Sequence, residues 1–226
     1  MAYWNSLPSR FKHATFDTFK PCTKEQAQAL LFLKKYADHP LSYPNNVILL
    51  GNCGTGKTHL AYSVLKQNAL LIEDAHFDTL KSEVALFVSL KEILDEIKEN
   101  FQTKPTYQSL YQKAIEAPLL ILDEIGLQYG TEMERTELYR LFNERYNAFR
   151  PIMALSNLNE ARLNALLGQR IFERLFSNAR VFHFQNQSYR FQKEGEKPTT
   201  NLGKKTMEKT EAKEDKKPNK TSKNNI

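Results

Sequence analysis

The chain has 226 residues, 41% of them hydrophobic, enough for one domain with a proper core plus a short appendage. It has no apolar run long enough to cross a bilayer, and its opening, Met1-Ala2-Tyr3-Trp4-Asn5-Ser6, lacks the basic-then-apolar pattern of a secretory signal. The net charge of +6 is uneven: from Lys193 onward ten lysines face six acidic residues, so the rest is near neutral and makes a weak case for nucleic-acid binding by the domain itself. Cys22 and Cys53 and the five scattered histidines have no metal-ligand spacing, so the expectation is a reduced, cytoplasmic protein without a zinc site.

Residues 1–22 carry Tyr3, Trp4, Leu7, Phe11, Phe16 and Phe19 without helical or strand period, as an arm laid over a domain would. This arm is apolar enough to dock on a partner, on a neighbouring subunit or back on its own domain. Thr23 begins a capping box with Gln26, and Lys24–Ala37 follows as a helix with Ala27, Leu30, Leu31 and Lys34 along one side. Pro40, Pro44 and Asn45-Asn46 break the chain before Val47–Leu50, four apolar residues that read as a strand buried on both faces. A helix over about 57–68 precedes a second apolar strand, Val84–Leu90. Lys91–Phe101 places Ile93, Leu94, Ile97 and Phe101 at helical spacing, and Tyr107–Ala117 repeats the pattern with Leu110, Tyr111 and Ala114.

Pro118 opens a third strand, Leu119–Leu122, ending in Asp123-Glu124. Glu132–Phe149 is amphipathic, with Leu138, Leu141, Phe142, Tyr146 and Phe149 on one face. Ile152–Leu155 is a fourth strand ending at Ser156-Asn157, and two short helices, about 159–167 and 169–176, part at Gly168. Val181–Phe184 is the fifth strand. Strands alternating with helices argue an α/β doubly wound fold around a parallel sheet. The expected domain therefore covers 23–192, and the Lys-, Glu-, Thr- and Asn-rich residues 193–226 form a disordered tail.

Between the first strand and its helix lies Gly51-Asn52-Cys53-Gly54-Thr55-Gly56-Lys57-Thr58-His59, the G-x-x-x-x-G-K-T phosphate loop in its required strand-to-helix context. Glycines at 51, 54 and 56 let the backbone fold into a nest of N–H groups, and the following helix points its positive end at the same phosphates. Lys57 reaches the β/γ-phosphates of ATP, and the Thr58 hydroxyl ligates Mg2+. Cys53 is either a redox handle or a filler position. Leu119–Glu124 delivers two carboxylates to the carboxyl end of a buried strand, where open α/β sheets bind ligands. Asp123 there would hold Mg2+, and Glu124 would polarise an attacking water. Asn157 ends a strand and is on its own also a common turn residue. Arg170 and Arg174 lie four apart on one helix face.

The core resembles the AAA+ P-loop ATPases of the DnaC-type helicase-loader and IstB clade, nearer the DnaC side. The matching pieces, from about residue 10 to 190, are Thr15-Phe16-Asp17-Thr18-Phe19, Gly51–Ala61, Leu119–Gly126, Ser156-Asn157 and Gly168-Gln169-Arg170-Ile171-Phe172-Glu173-Arg174. The resemblance implies a five-stranded parallel sheet flanked by helices, with a lid reduced or absent. It makes Asn157 the first sensor, puts the edge of the adenine pocket in Thr15–Phe19, and makes Arg174 the finger presented to a neighbouring subunit's ATP, with Arg170 beside it. It further implies an ATP-dependent homo-oligomer, and single-stranded DNA running past Lys91–Phe101, where Phe101 would stack on a base. Loaders of this kind grip a replicative helicase through an N-terminal helical region; here 14 residues precede Thr15. Three functions follow: a replication ATPase acting with a helicase on single-stranded DNA, an IstB-like transposition helper, or a nucleotide-gated adaptor.

Overall fold

The four apolar residues Val47–Leu50 have two faces to fill, and two separate hydrophobic clusters fill them. In the computed structural model, which describes residues 8–40, 46–73, 85–99, 109–126, 131–185 and 188–189, Val47 and Leu49 pack into one cluster and Ile48 and Leu50 into the other. The same alternation runs through the neighbouring strands, as the period of two in a pleated strand requires. Ile121, Met153, Leu155, Phe182 and Phe184 join the first cluster, and Leu120, Leu122, Ile152 and Ala154 the second.

The strands are β1 (Asn46–Gly51), β2 (Ala85–Ser89), β3 (Leu119–Ile125), β4 (Ile152–Ser156) and β5 (Ala179–Phe184). They form one five-stranded parallel sheet in the order β2-β3-β4-β1-β5, flanked by helices as expected. Helices α1 (Lys24–Asp38) and α2 (Lys57–Glu73) cover the face of Val47 and Leu49. Helices α3 (Leu90–Glu99), α4 (Leu110–Glu116), α5 (Glu132–Asn147), α6 (Glu160–Leu167) and α7 (Gln169–Phe176) cover the other. Among the described residues no helix is long and apolar enough to cross a membrane. Leu7 and the earlier aromatics, Phe101, and everything from Arg190 on, including the expected tail, lie outside the described residues. Chain contacts divide the protein into units 1–194 and 195–226, and the fold described is that of the first.

Two expected helix faces are corrected. In α1 the buried residues are Gln26, Ala29, Leu33, Tyr36 and Ala37, while Leu31 is 65% exposed, because α1 must meet both α2 and the outer strand β5. In α5, Leu138, Leu141 and Phe142 are buried as expected, but Tyr146 and Phe149 are 46% and 77% exposed. The inward residue on the last turn is Arg145, fully buried, which donates to the carbonyls of Ala114, Ala117 and Pro151 at 2.8, 2.8 and 2.7 Å. It thereby caps the carboxyl end of α4, where a cation also complements the helix dipole. Burial pushes its guanidinium down to about 9, with Arg150 adding repulsion.

Helix α5 stops at Asn147, short of the expected Phe149, because Phe149 takes the left-handed conformation at φ 53°. Its N–H returns to Tyr146 O at 3.2 Å and that of Arg150 to Arg145 O at 2.9 Å, the paired bonds of a Schellman ending. Asn46 ties three elements at the amino edge of the sheet. Its Oδ1 accepts from Ile152 N at 2.9 Å, and its Nδ2 donates to the carbonyls of Arg174 and Leu175 at 3.2 and 2.8 Å.

Candidate nucleotide-binding site

The strand order puts the carboxyl ends of β3, β4 and β1 side by side, and each end carries one part of the site. From β1 the chain turns through Gly51 into the phosphate loop. A Cβ on Gly51 would lie 2.0 Å from the carbonyl oxygen of Phe184, and one on Gly56 would lie 2.5 Å from the ring of Phe19, both at positive φ. No other residue fits either place. Lys57 opens α2 and is buried; its Nζ donates to Gly51 O, Asn52 O and Asn157 Oδ1 at 2.7, 2.8 and 2.8 Å. The Thr58 hydroxyl donates to Asp123 Oδ2 at 3.0 Å. Residues 65 and 100 apart in sequence thus meet within single hydrogen bonds.

The end of β3 is bent to make this possible. The β3–β4 ladder pairs Leu122 with Ala154 but next Ile125 with Ser156, so β3 holds one extra residue, a bulge of the sort that re-aims side chains at sites. Glu124 takes φ 59° in it and leaves its side chain exposed, while its N–H donates to Asp123 Oδ1 at 2.7 Å. The strand expected to end in Asp123-Glu124 runs one residue further, to Ile125, and so carries the carboxylates within it. Ser156 closes the gap, its hydroxyl donating to Ile125 O and accepting from Leu158 N at 3.1 Å. Burial raises the pKa of Asp123, opposed by the Glu124 N–H, the Thr58 hydroxyl and the charge of Lys57.

The stretch Thr15–Phe19 lies against the same loop. His59 Nε2 is 2.9 Å from Thr15 O and 3.2 Å from Thr18 Oγ1, and Phe19 meets the His59 ring edge-on at 5.5 Å between centroids. Phe16 and Phe19 are buried, and Phe11 stacks on Tyr62 of α2 at 4.6 Å, so this part of the arm packs on its own domain. Asn52 and Cys53 are exposed at the tip of the loop.

Two groups escaped sequence reasoning. Gln26, read only as a capping residue, sends its Nε2 to Thr55 O at 2.9 Å. Tyr189, beyond β5, donates its N–H to Gly54 O at 2.9 Å. Nothing local marks Tyr189; for Gln26 the one clue was a polar residue at a helical position that other apolar residues make inward.

Arg170 and Arg174 are not part of this cluster. Arg174 is half-buried; its guanidinium donates to Asn143 Oδ1 at 3.1 Å, Arg170 O at 2.9 Å and Tyr139 Oη at 3.3 Å, and lies 5.0 Å from the Tyr139 ring centre. Arg170 is exposed. The Arg174 carbonyl is held by Asn46, the first residue of β1, whereas the phosphate loop leaves from its last, Gly51. That separation is roughly 16 Å of strand, so Arg174 sits at the opposite edge of the sheet from its own loop.

A parallel sheet of this order, with a phosphate loop leaving β1 and an acidic pair on β3 across the intervening β4, defines the AAA+ P-loop class. The chain belongs to the IstB-like ATP binding protein family, whose model matches residues 40–197. It is 26% identical over 181 residues to the replicative helicase loader DnaC of Escherichia coli K12, covering 79% of this chain and 70% of that one. It is 27% identical over 180 residues to the uncharacterized protein YdaV of the same strain, covering 79% and 68%. The crystal structure of the DnaC helicase loader superposes with a TM-score of 0.66 at 20% identity, over 79% of this chain and 100% of that one. The replication initiator DnaA bound to AMPPCP and single-stranded DNA gives 0.63 at 19% identity, over 80% and 52%.

Proposed function

We propose that the protein binds ATP with Mg2+ and hydrolyses it to ADP and phosphate in an assembly of its own copies, as a replication ATPase of the helicase-loader kind. The observation that carries this reading is the pair of bonds Lys57–Asn157 and Thr58–Asp123, which gather a buried cation, a hydroxyl, a carboxylate and an amide at one loop. That donor set fits a nucleoside triphosphate and a hard divalent cation.

The loop from Gly51 to His59 cradles the phosphates, and Lys57 compensates the charge on their β and γ oxygens. Thr58 and Asp123 would hold Mg2+, which supplies further neutralisation of phosphate charge. Asn157 orients the attacking water, and Glu124 accepts its proton as the water oxygen bonds to the γ-phosphorus. The bond to the β–γ bridging oxygen breaks, and its electron pair leaves with ADP. Arg174, remote from its own loop, acts on the ATP of the neighbouring subunit with Arg170 beside it. The partner is assigned to a replicative helicase by likeness to the loader DnaC, and single-stranded DNA to the aromatic Phe101 region and the Lys-rich tail by their chemistry.

The test is nucleotide binding and turnover in two variants. Lys57→Ala removes ATP binding, whereas Glu124→Gln keeps binding and stops turnover, because only Lys57 contributes to ground-state phosphate affinity. Equal ATP affinity in wild type and Lys57→Ala sinks the assignment, and binding without turnover in wild type supports the adaptor reading. The family description favours one other reading, the transposition helper. Retention of a replicative helicase by immobilised protein with ATP supports the loader, and retention of a transposase instead supports the helper.

A further inference from the structure

A phosphate nest works only if successive N–H groups aim at one centre. In a trans peptide the C=O of one residue is antiparallel to the N–H of the next. Tying down the carbonyls of Gly54 and Thr55 on the outside of the loop therefore aims the N–H groups of Thr55 and Gly56 inward. Both carbonyls are tied from elsewhere in the chain: Tyr189 N–H donates to Gly54 O and Gln26 Nε2 donates to Thr55 O, each at 2.9 Å.

The two donors are locked to each other. Gln26 is fully buried, and its Oε1 accepts from Cys22 N–H at 2.6 Å and from the Tyr189 hydroxyl at 3.1 Å. Because the Cys22 N–H can only donate and Thr55 O can only accept, the amide cannot flip, and its nitrogen must face Thr55 O. The Tyr189 hydroxyl shares its one proton between Gln26 Oε1 and Lys20 O, and its ring meets Phe19 edge-on at 6.3 Å, the same Phe19 that packs on Gly56. Residues 163 apart in sequence thus form one bracket behind the loop.

We infer that Gln26 and Tyr189 are positioning residues for phosphate binding, setting the peptide orientations of the loop without touching the nucleotide. The inference rests on the nucleotide-binding reading of the same loop. It makes the segment just after β5 part of the ATP site through its backbone and one phenol.

The experiment uses the full chain and calorimetric titration with ADP, with inorganic tripolyphosphate as the competing ligand. Gln26→Glu sets a carboxylate oxygen against Thr55 O in nearly the same volume. The expected result is a fall in ADP affinity of about tenfold or more, and an equal fall for tripolyphosphate, which has no nucleoside. Tyr189→Phe, which removes only the phenol's two bonds, lowers both affinities about threefold and keeps the test open if Gln26→Glu does not fold. Wild-type ADP binding matched by unaffected variants overturns the positioning role alone. A loss for ADP with tripolyphosphate unchanged also overturns it, placing these residues on the nucleoside side. A silent wild-type titration removes the nucleotide-site reading itself, and this inference with it.

Discussion

Replacing Arg174 by Ala tests whether the site is completed between subunits. The Arg174 carbonyl is held by Asn46 at the amino edge of the sheet and its guanidinium by Asn143 and Tyr139 of α5, while the phosphate loop leaves from the carboxyl edge. Roughly 16 Å of strand separates Asn46 from Gly51, and the guanidinium is engaged by α5 rather than by the loop, so in this arrangement Arg174 is not placed on its own site. Arginine fingers accelerate phosphoryl transfer about 10³–10⁵-fold, which is roughly 4–7 kcal/mol of transition-state stabilisation. The variant should bind ATP normally and lose turnover on that scale. It also loses the bonds to Asn143 and Tyr139 and the ring contact, which costs roughly 1–2 kcal/mol of stability and a few degrees of melting temperature. The decisive assay mixes it in equal amounts with Lys57→Ala. In a head-to-tail assembly with random order, about a quarter of interfaces pair an intact pocket with an intact finger, so about a quarter of wild-type turnover should return. Each variant alone has none. No recovery, with wild-type turnover independent of protein concentration, would leave Arg174 as a structural residue of the α5–α7 contact.

Asp123 predicts opposite effects on stability and activity. Burial raises its folded-state pKa above the unfolded value, so its contribution to stability is full below the unfolded pKa and is lost as pH rises through the folded one. Ionised Asp123 is therefore a cost at neutral pH, and Asp123→Asn should raise the melting temperature there while abolishing turnover. The gap should close as the buffer is made acidic; identical melting curves at every pH would refute it. At Phe149, an exposed aromatic holds the left-handed position usually given to Gly. Phe149→Gly should relieve about 1 kcal/mol of backbone strain and raise the melting temperature by roughly 2–4 °C. A lower melting temperature would mean that the ring packs against something in the native protein.

Among the described residues, the five strands, the seven α-helices and the phosphate loop could be read locally, because each is marked within a short window. Apolar runs bounded by Pro, Gly and Asn mark strands, and the glycines of the loop are required by backbone geometry at their own positions. The acidic pair was found for the same reason, since a buried strand ending in two carboxylates is a local pattern. Helix faces were not legible in this way. In α1, apolar residues occur on several sides, and the face that sinks is chosen by α2 and β5, which lie far away in sequence. In α5 the last turn offered Tyr146 and Phe149, yet Arg145 goes inward because the open carbonyls of α4 need a donor more than the core needs another ring.

The strand order likewise came from the tertiary structure, and with it the meeting of Lys57 with Asn157 and of Thr58 with Asp123. Sequence determined which chemical groups this protein owns. Packing alone decided that Gln26 and Tyr189 stand behind the loop and that Arg174 is held by Asn46 and α5 instead of by the loop. Hydrogen bonds and buried contacts between distant segments satisfy groups that no local pattern can pair.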